Sequence, residues 1–292
     1  MWRIKLLKKI HKIYFSFKLF NFKPIRGFKQ ICKKVLFLIL VPGDTIKTEI
    51  EGMSFFIRNT PASIREYIFQ PFEPYTAELF KRTIKPGMTI LDIGAQFGYY
   101  TLLAAKMTGS GGRVFAFEPV PSNFNVLKKN IEINNFVHIV QPIQKAVGNK
   151  REKIKIFCYE HSDSHGMYPC PTGIIKESIE VECITIDEFL KGQSADVIKM
   201  DIEGNEPYAL EGMRETISRS ENLVLFTEFA PAFLRWAGIK PEDYILQINK
   251  LGFEIFVIDE KSSKLKPFTD DLFVKDDPTY YTNLYCRKKK KV

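Results

Sequence analysis

The 292-residue sequence predicts an α/β protein with a doubly wound, mostly parallel sheet. Short apolar runs of strand length alternate with amphipathic stretches of helical period, and this order is typical of parallel sheets. Informative polar residues recur directly after the predicted strands, where such sheets bind their ligands. Hydrophobic residues make up 45% of the chain and charged residues 26%, which indicates a globular core rather than disorder or a multi-span membrane protein.

The predicted elements begin with a hairpin over residues 46–59, whose turn is expected at Glu51-Gly52. Ser122 is expected to cap one of the following helices. Two further helices are expected at residues 74–84 and 97–107. The strands are expected at residues 89–93, 114–117, 137–147, 153–159, 179–184, 197–202, 223–229, 253–258 and 283–286. Of these, 153–159 and 179–184 are predicted to form an antiparallel excursion from the alternating pattern.

The net charge of +9 is concentrated at the two ends of the chain. Residues 1–43 contain 11 Lys or Arg and no Asp or Glu, and residues 287–291 are all basic. The residues between them are net negative, so the basic balance does not indicate a nucleic-acid-binding core. We expect three segments: a basic amphipathic leader over 1–45, an accessory hairpin segment over 46–70 and the main domain over 71–292.

The leader interleaves its lysines with large apolar residues, at a spacing of two to four from Trp2 to Phe17. On a helix this spacing predicts an apolar stripe with basic flanks, which favours reversible contact of residues 1–43 with a membrane surface. A poorly ordered or ordinary packing segment is the open alternative, and nucleic acid is a less favoured partner. The apolar run 35–41 is about a third of the roughly 20 residues that span a bilayer.

The five cysteines are odd in number and form no C-x-x-C pair, so neither a disulfide framework nor a zinc site is predicted. The expected location is therefore the cytoplasm, at the inner face of the membrane if the leader binds lipid.

A glycine-rich turn follows the strand predicted at 89–93, with the sequence L-D-I-G-A-Q-F-G at residues 91–98. Gly94 and Gly98 allow the backbone to approach a ligand closely, with Ala95 between them. The G-x-x-x-G spacing disfavours a dinucleotide and favours a ligand with an amino-acid end, bound at the helix N-terminus. Asp92 is expected to accept hydrogen bonds from the loop amides or to contact the ammonium group of the ligand.

Two further positions complete a candidate cofactor site. Glu118 follows the next predicted strand, where a carboxylate accepts hydrogen bonds from both ribose hydroxyls of a nucleotide, and Pro119 then turns the chain away. The expected neighbours of an adenine ring are three residues after the third strand, Gln144, Lys145 and Ala146.

Charged residues crowd the turn after the strand predicted at 197–202, with the sequence I-K-M-D-I-E-G-N-E at 198–206. Lys199 lies within the apolar strand, where an unpaired charge is costly, so we predict that it pairs with one of the neighbouring carboxylates. Glu206 gains from its place near a helix N-terminus, which is a purely structural alternative to a functional role.

These motifs together resemble the FkbM family of S-adenosylmethionine-dependent methyltransferases. The resemblance rests on L-D-I-G-A-x-x-G, F-E-P at 117–119 and I-K-M-D-I-E-G-N-E, and it extends from about Pro71 to the end. It implies a Rossmann-like class I methyltransferase fold with a final antiparallel strand, and O-methylation of a sugar or natural-product hydroxyl. Gln96-Phe97 departs from the Asn usual in this loop, while both glycines are retained.

In this topology Asp201 faces the transferred methyl group, and it is therefore counted among both the cofactor-binding and the catalytic candidates. Methyl transfer is an in-line displacement that needs alignment and a base for the hydroxyl proton. Asp201 or Glu203 is the preferred base or substrate-orienting group, and the other candidates are Lys199, Glu206 and Glu228. His161 and His165 are alternative bases, less favoured because they fall in a loop. Asp201 with Glu228 could hold Mg²⁺, but no metal is expected.

The function expected from these observations is S-adenosylmethionine-dependent O-methylation of a sugar, glycan or glycolipid hydroxyl. An RNA methyltransferase is the alternative that the basic ends suggest, and an inert cofactor-binding scaffold is the alternative from another class. The oligomeric state is left open.

Overall fold

The computed structural model describes residues 43–69, 71–159, 165–169, 174–275, 277 and 279–289. The predicted leader, apart from the short stretch that begins at Gly43, and residues 290–292 therefore lie outside the described residues. The chain divides into two compact units, Met1–Phe72 and Glu73–Val292.

The described part of the first unit is a hairpin followed by a short helix. Strands β1 (Thr45–Ile50) and β2 (Met53–Arg58) pair antiparallel, as predicted. Glu51 and Gly52 form their turn with φ of 52° and 75°, the positive values that a tight hairpin of matching twist requires. Helix α1 (Pro61–Ile64) continues as a π-helical turn over Arg65–Phe69.

The second unit contains the remaining strands of the described residues. In chain order they are β3 (Thr89–Ile93), β4 (Arg113–Phe117), β5 (Val140–Ile143), β6 (Ala146–Val147), β7 (Glu152–Tyr159), β8 (Ile175–Ile184), β9 (Val197–Met200), β10 (Val224–Phe229), β11 (Phe253–Asp259), β12 (Lys264–Pro267) and β13 (Thr282–Lys288).

Eight of these strands form one sheet in the order β12-β11-β13-β10-β9-β3-β4-β5. Strands β10, β9, β3, β4 and β5 are mutually parallel, and β13 runs antiparallel to both β10 and β11. The mostly parallel sheet with a final antiparallel strand confirms the predicted fold class. The predicted excursion is also confirmed, since β7 and β8 pair antiparallel in a separate three-stranded sheet of order β6-β8-β7.

The connections between the strands supply the helices, as parallel pairing requires. They are α2 (Pro74–Thr83), α3 (Tyr99–Thr108), α4 (Pro121–Ile133), α5 (Ile186–Leu190), α6 (Glu206–Glu211), α7 (Arg214–Arg219), α8 (Pro231–Trp236) and α9 (Pro241–Lys250), with a 3₁₀ turn at Asp270–Leu272. Among the described residues, no helix combines the length and the apolarity needed to cross a bilayer.

Two details of the sequence prediction are wrong. Ser122 does not cap α4, because Pro121 takes the first helical position, where its missing N–H costs nothing, and Val120 becomes the N-cap. The strand expected over 137–147 is divided into β5 and β6, which belong to different sheets. Strand β5 lies at the edge of the large sheet, the place where a sheet tolerates Pro142, and the chain leaves the sheet after it.

Gly212, at the end of α6, approaches the chain that follows β6. A Cβ atom there would lie 1.9 Å from the carbonyl oxygen of Gly148 and 3.2 Å from the Cα of Asn149. We expect Gly212→Ala to lower the free energy of unfolding by about 1–3 kcal/mol, because backbone must move to accept the methyl group. Chemical denaturation measures this change. Gly111→Ala is the control, since its Cβ would meet only the Cα of Gly87, at 3.8 Å; equal losses in both variants would contradict the prediction.

Candidate active site

The carboxyl ends of β4, β3, β9 and β10 meet at one edge of the sheet, because these strands are parallel and adjacent. That edge carries the glycine-rich turn after β3, Glu118 after β4, Asp201 after β9 and Glu228 near the end of β10. The fold therefore brings together the main residues that the sequence singled out.

The glycine-rich turn lies against the backbone of the neighbouring strand. Gly94 has φ of 88°, and a Cβ atom on it would lie 1.9 Å from the carbonyl oxygen of Asp201. The backbone N–H groups of Gly94 and Ala95 both donate to the carbonyl of Phe117, at 2.9 Å. The turn is therefore attached to the ends of both neighbouring strands, and only glycine fits at position 94.

Glu118 holds the same turn through its side chain. Its two carboxylate oxygens accept hydrogen bonds from the backbone N–H groups of Gln96, at 2.9 Å, and Val120, at 2.8 Å. Gln96 has φ of 49°, a left-handed conformation that such a contact helps to maintain. Burial raises the pKa of Glu118 to about 7, although both hydrogen bonds lower it.

Asp92 contacts helix α3 rather than the loop amides that the sequence suggested. The hydroxyl of Thr101 donates to its Oδ2 at 2.5 Å. Burial raises the pKa of Asp92 to about 6, and the bond from Thr101 and the charge of Lys199 partly offset this. The carboxylate that accepts hydrogen bonds from the loop amides is therefore Glu118, whereas Asp92 connects β3 to the first turn of α3.

Lys199 lies in β9 with 1% of its side chain exposed, and its Nζ is 3.2 Å from Oδ2 of Asp201. The predicted pairing with a carboxylate is confirmed. The Nζ also lies 5.0 Å from the ring centroid of Tyr100, a cation–π contact. Burial by itself lowers the pKa of Lys199, but Asp201, Glu73 and the other neighbouring carboxyls raise it more, so the ammonium is retained.

Glu73 is the functional-site neighbour that the sequence reasoning missed. It is buried at the N-cap of α2, with φ of 40°, and accepts hydrogen bonds from the hydroxyl of Tyr100, at 2.5 Å, and Nδ2 of Asn283, at 2.7 Å. Burial raises its pKa, and Lys199 opposes that shift. Its only signal in the sequence is Pro74, which marks a helix start but does not show that the preceding carboxyl is buried.

Glu206 organises the turn after β9. Its carboxylate accepts hydrogen bonds from the backbone N–H groups of Ile202, at 2.8 Å, and Gly204, at 2.9 Å. Burial raises its pKa to about 7. Within this turn Glu203 adopts a left-handed φ of 58°, a conformation that non-glycine residues rarely hold without support. Glu206 thus maintains the turn that carries Asp201 and Glu203.

Glu228 is buried near the end of β10, opposite Asn283 of β13 in the strand register. Its Oε2 is buried and has no hydrogen-bond partner within the described residues. Burial raises the pKa of Glu228 well above 4.5, and repulsion from Asp201, Glu203 and Glu206 raises it further.

The residues expected near adenine lie at the other end of the site. Pro119 follows Glu118, and Gln144 is exposed after β5. Lys145 pairs with Glu182 of β8 at 2.7 Å, and Ala146 is buried in β6, opposite Cys183. Their contact with adenine stays a prediction.

The described residues include no group of three or more His, Cys, Asp and Glu side chains arranged to hold a metal ion. His161 lies outside the described residues.

Comparison with known families gives this geometry its context. Residues 92–255, more than half of the chain, match the family described as the Methyltransferase FkbM domain. The chain belongs to the FkbM methyltransferase family. This is the family that the motifs of the sequence predicted.

Individual relatives of this FkbM methyltransferase match over shorter stretches. Protein-L-isoaspartate O-methyltransferase 1 of Arabidopsis thaliana is 40% identical over 55 residues, which are 19% of this chain and 24% of that protein. The protein-L-isoaspartate O-methyltransferase of Aeropyrum pernix is 34% identical over 59 residues, 20% of this chain and 23% of that protein. The matches thus span about a quarter of each relative.

Among solved structures, M. jannaschii TYW2 in complex with AdoMet superposes with a TM-score of 0.48 at 14% identity. The superposition covers 86% of this FkbM methyltransferase and 89% of TYW2.

The residues of the edge fit S-adenosylmethionine. Gly94 and Gly98 hold the backbone of the turn in left-handed conformations at the start of α3, and Glu118 is a buried carboxylate beside that turn. In this FkbM methyltransferase, Glu118 would hold the ribose hydroxyls, and the turn at 94–98 the amino-acid end.

We expect Glu118→Ala to weaken S-adenosylmethionine binding by about 1.5–3 kcal/mol, because a charged hydrogen-bond acceptor is lost. Hydroxyl donors favour the carboxylate form, so wild-type affinity should decline as the pH falls through about 7. Isothermal titration calorimetry across this range measures both effects. The exposed Glu132→Ala is the matched control, and unchanged affinity in Glu118→Ala would remove the assignment of Glu118 to the ribose.

Proposed function

We propose that this FkbM methyltransferase transfers the methyl group of S-adenosylmethionine to a hydroxyl of a sugar, glycan or glycolipid. Asp201 is the group that takes the hydroxyl proton. The observation that carries the proposal is the position of Asp201 at the end of β9, between the cofactor turn and Glu228, with its side chain 30% exposed and one oxygen held by the buried Lys199.

The position of Asp201 suits a group that must reach both ligands. Its carbonyl oxygen faces Gly94, so its backbone lies directly against the cofactor turn. Its N–H donates to the carbonyl of Ile93 at 3.0 Å, which keeps the start of the catalytic turn aligned with β3. A carboxylate fixed in this way supplies alignment, the main requirement of an in-line displacement.

Lys199 positions Asp201 from within the protein interior. Its ammonium is buried and donates to one carboxylate oxygen of Asp201, Oδ2, which restricts the orientation of the Asp201 side chain. S-adenosylmethionine supplies an activated methyl group when bound. Asp201 accepts the proton as the hydroxyl oxygen attacks, and the alternative base Glu203 lies two residues further along the same turn.

A hydroxyl acceptor agrees with this geometry better than a nucleic acid does. Asp201 and Glu203 are partly exposed at the site edge, and their carboxylates repel phosphate backbones. Neutral hydroxyl groups donate hydrogen bonds to the same side chains.

We expect Asp201→Asn to lower kcat by about 10²–10⁴-fold with little change in cofactor affinity, because the amide keeps the shape and removes the base. Glu203→Gln tests the alternative base. Label transfer from methyl-labelled S-adenosylmethionine measures the rate, and the exposed Asp270→Asn serves as control. Wild-type rates in both Asp201→Asn and Glu203→Gln would show that the catalytic turn is assigned wrongly.

The acceptor class is tested with the same labelled donor and three acceptor sets: soluble oligosaccharides, extracted glycolipids and total RNA. Label in the first or second set, removed by mild glycan cleavage, supports the proposal. Label in nuclease-sensitive RNA alone would replace it with the RNA methyltransferase alternative.

Attachment to a membrane would bring the enzyme to a glycolipid acceptor, and the leader offers the means. Each Lys or Arg near an anionic surface contributes roughly 1 kcal/mol, reduced by salt. We expect a chain lacking residues 1–43 to lose cosedimentation with anionic vesicles while keeping its cofactor affinity. RNA is compared at matched salt, since phosphates attract the same charges. Tight RNA binding without vesicle binding, or binding to neither, would refute the membrane role.

A further inference from the structure

Among the described residues, the site holds more carboxyl groups than the ammonium of Lys199 can neutralise. Glu73, Asp92, Asp201 and Glu228 all act electrostatically on Lys199. Glu73, Asp92 and Glu228 are buried, and each has a pKa raised above its ordinary value, with burial as the largest cause. An additional positive charge would therefore be favoured at this edge, provided that it reaches a carboxyl that still lacks a partner.

Glu228 is that carboxyl. Glu73 and Asp92 receive hydrogen bonds from side chains of α3, and Asp201 is paired with Lys199. Glu228 retains a buried Oε2 without a partner in the described part of the chain. Buried oxygens are rarely left unsatisfied in native proteins. Oδ1 of Asn283, opposite Glu228 in the strand register, is likewise buried without a partner among the described residues, and a proton on Glu228 would allow a hydrogen bond between these two acceptor oxygens.

The groups that act on Glu228 are mostly of its own charge. They come from the strand β9, from the turn and helix that follow it, and from α9. In α9, the pKa of the Tyr244 hydroxyl is raised by burial and by the charges of Glu206 and Glu228. These neighbours are Lys199, Asp201, Glu203, Glu206 and Tyr244. With three carboxyls against one ammonium, the neutral form of Glu228 is favoured until a cation arrives.

We propose that Glu228 is protonated in the free protein and releases its proton when the positively charged methyl donor binds, so that the site distinguishes S-adenosylmethionine from its neutral demethylated product. This inference rests on the proposed function. The two molecules share their amino-acid, ribose and adenine parts and differ only in the sulfonium methyl and its charge. Groups that respond to the shared parts, such as Asp92 and Glu118, respond to both alike.

The proton balance of the reaction follows from this assignment. On donor binding, Glu228 gives one proton to solvent and remains as a carboxylate opposite the positive charge. In methyl transfer the C–S bond breaks with its electron pair left on sulfur, and a C–O bond forms to the acceptor. The hydroxyl proton passes to Asp201 and from there to Glu228, which no longer faces a cation. Asp201 is thereby restored as a carboxylate, and the neutral product is held less tightly.

The test is calorimetric binding of S-adenosylmethionine and of S-adenosylhomocysteine at neutral pH, in buffers of different ionisation enthalpy. The wild-type protein should release close to one proton more with S-adenosylmethionine, since one carboxyl changes state. Its preference for S-adenosylmethionine should increase as the pH rises, because a proton is released. In Glu228→Gln the difference in proton release should disappear and the preference should fall about tenfold or more. The exposed Glu221→Gln is the matched control and should behave as wild type.

Equal proton release with both ligands in the wild-type protein would overturn the inference, and a difference that persists in Glu228→Gln would overturn the assignment to Glu228. If Glu228→Gln does not fold, infrared difference spectra of wild type with labelled glutamate carboxyls decide. Glu118 contributes a loss that both ligands cause. One further protonated glutamate band should disappear with S-adenosylmethionine but not with S-adenosylhomocysteine, and its persistence would refute the proposal. Failure of S-adenosylmethionine to bind at all would instead refute the proposed function.

Discussion

The buried ammonium of Lys199 is the constraint on which the catalytic edge depends. An unpaired charge in the middle of a sheet costs several kcal/mol, and breaking a buried pair by removing one partner is strongly destabilising. The fold surrounds this charge with Asp201 from the turn after the same strand and Glu73 from the start of α2. Asn283 and Tyr100 then satisfy Glu73, so the last strand and α3 are tied to the same charge.

The two turns that carry the candidate cofactor and catalytic residues are stabilised in the same way. In each, a buried glutamate accepts two backbone N–H groups, and a residue in the left-handed region lies beside them. Glu118 does this for the turn that includes Gln96, and Glu206 for the turn that includes Glu203. The close approach of Gly94 to Asp201 joins the two turns, so a shift in one moves the other.

Local patterns were sufficient for most of the fold. The strand at 89–93 and the hairpin turn at Glu51-Gly52 are where periodicity and turn residues place them. The sequence prediction fails where neighbouring residues or two sheets compete for the same position. Pro121 displaced Ser122 from the cap, and the run 137–147 was divided between two sheets, which no local pattern records. Strand β12 was missed, because its stability comes from pairing with β11 at the sheet edge.

By itself the sequence determined the family, the parallel sheet and the residues that end its strands, because spacing along the chain reports these directly. It also predicted a partner for Lys199, since burying an unpaired charge carries a large unfavourable free energy. Only the tertiary structure decided which carboxyl pairs with it and that Glu73 joins the cluster from 126 residues away in the chain. It also decided that Glu228 keeps an oxygen without a partner among the described residues. These features depend on distance and burial in three dimensions, and residues that are distant in the sequence become neighbours only when the sheet has formed.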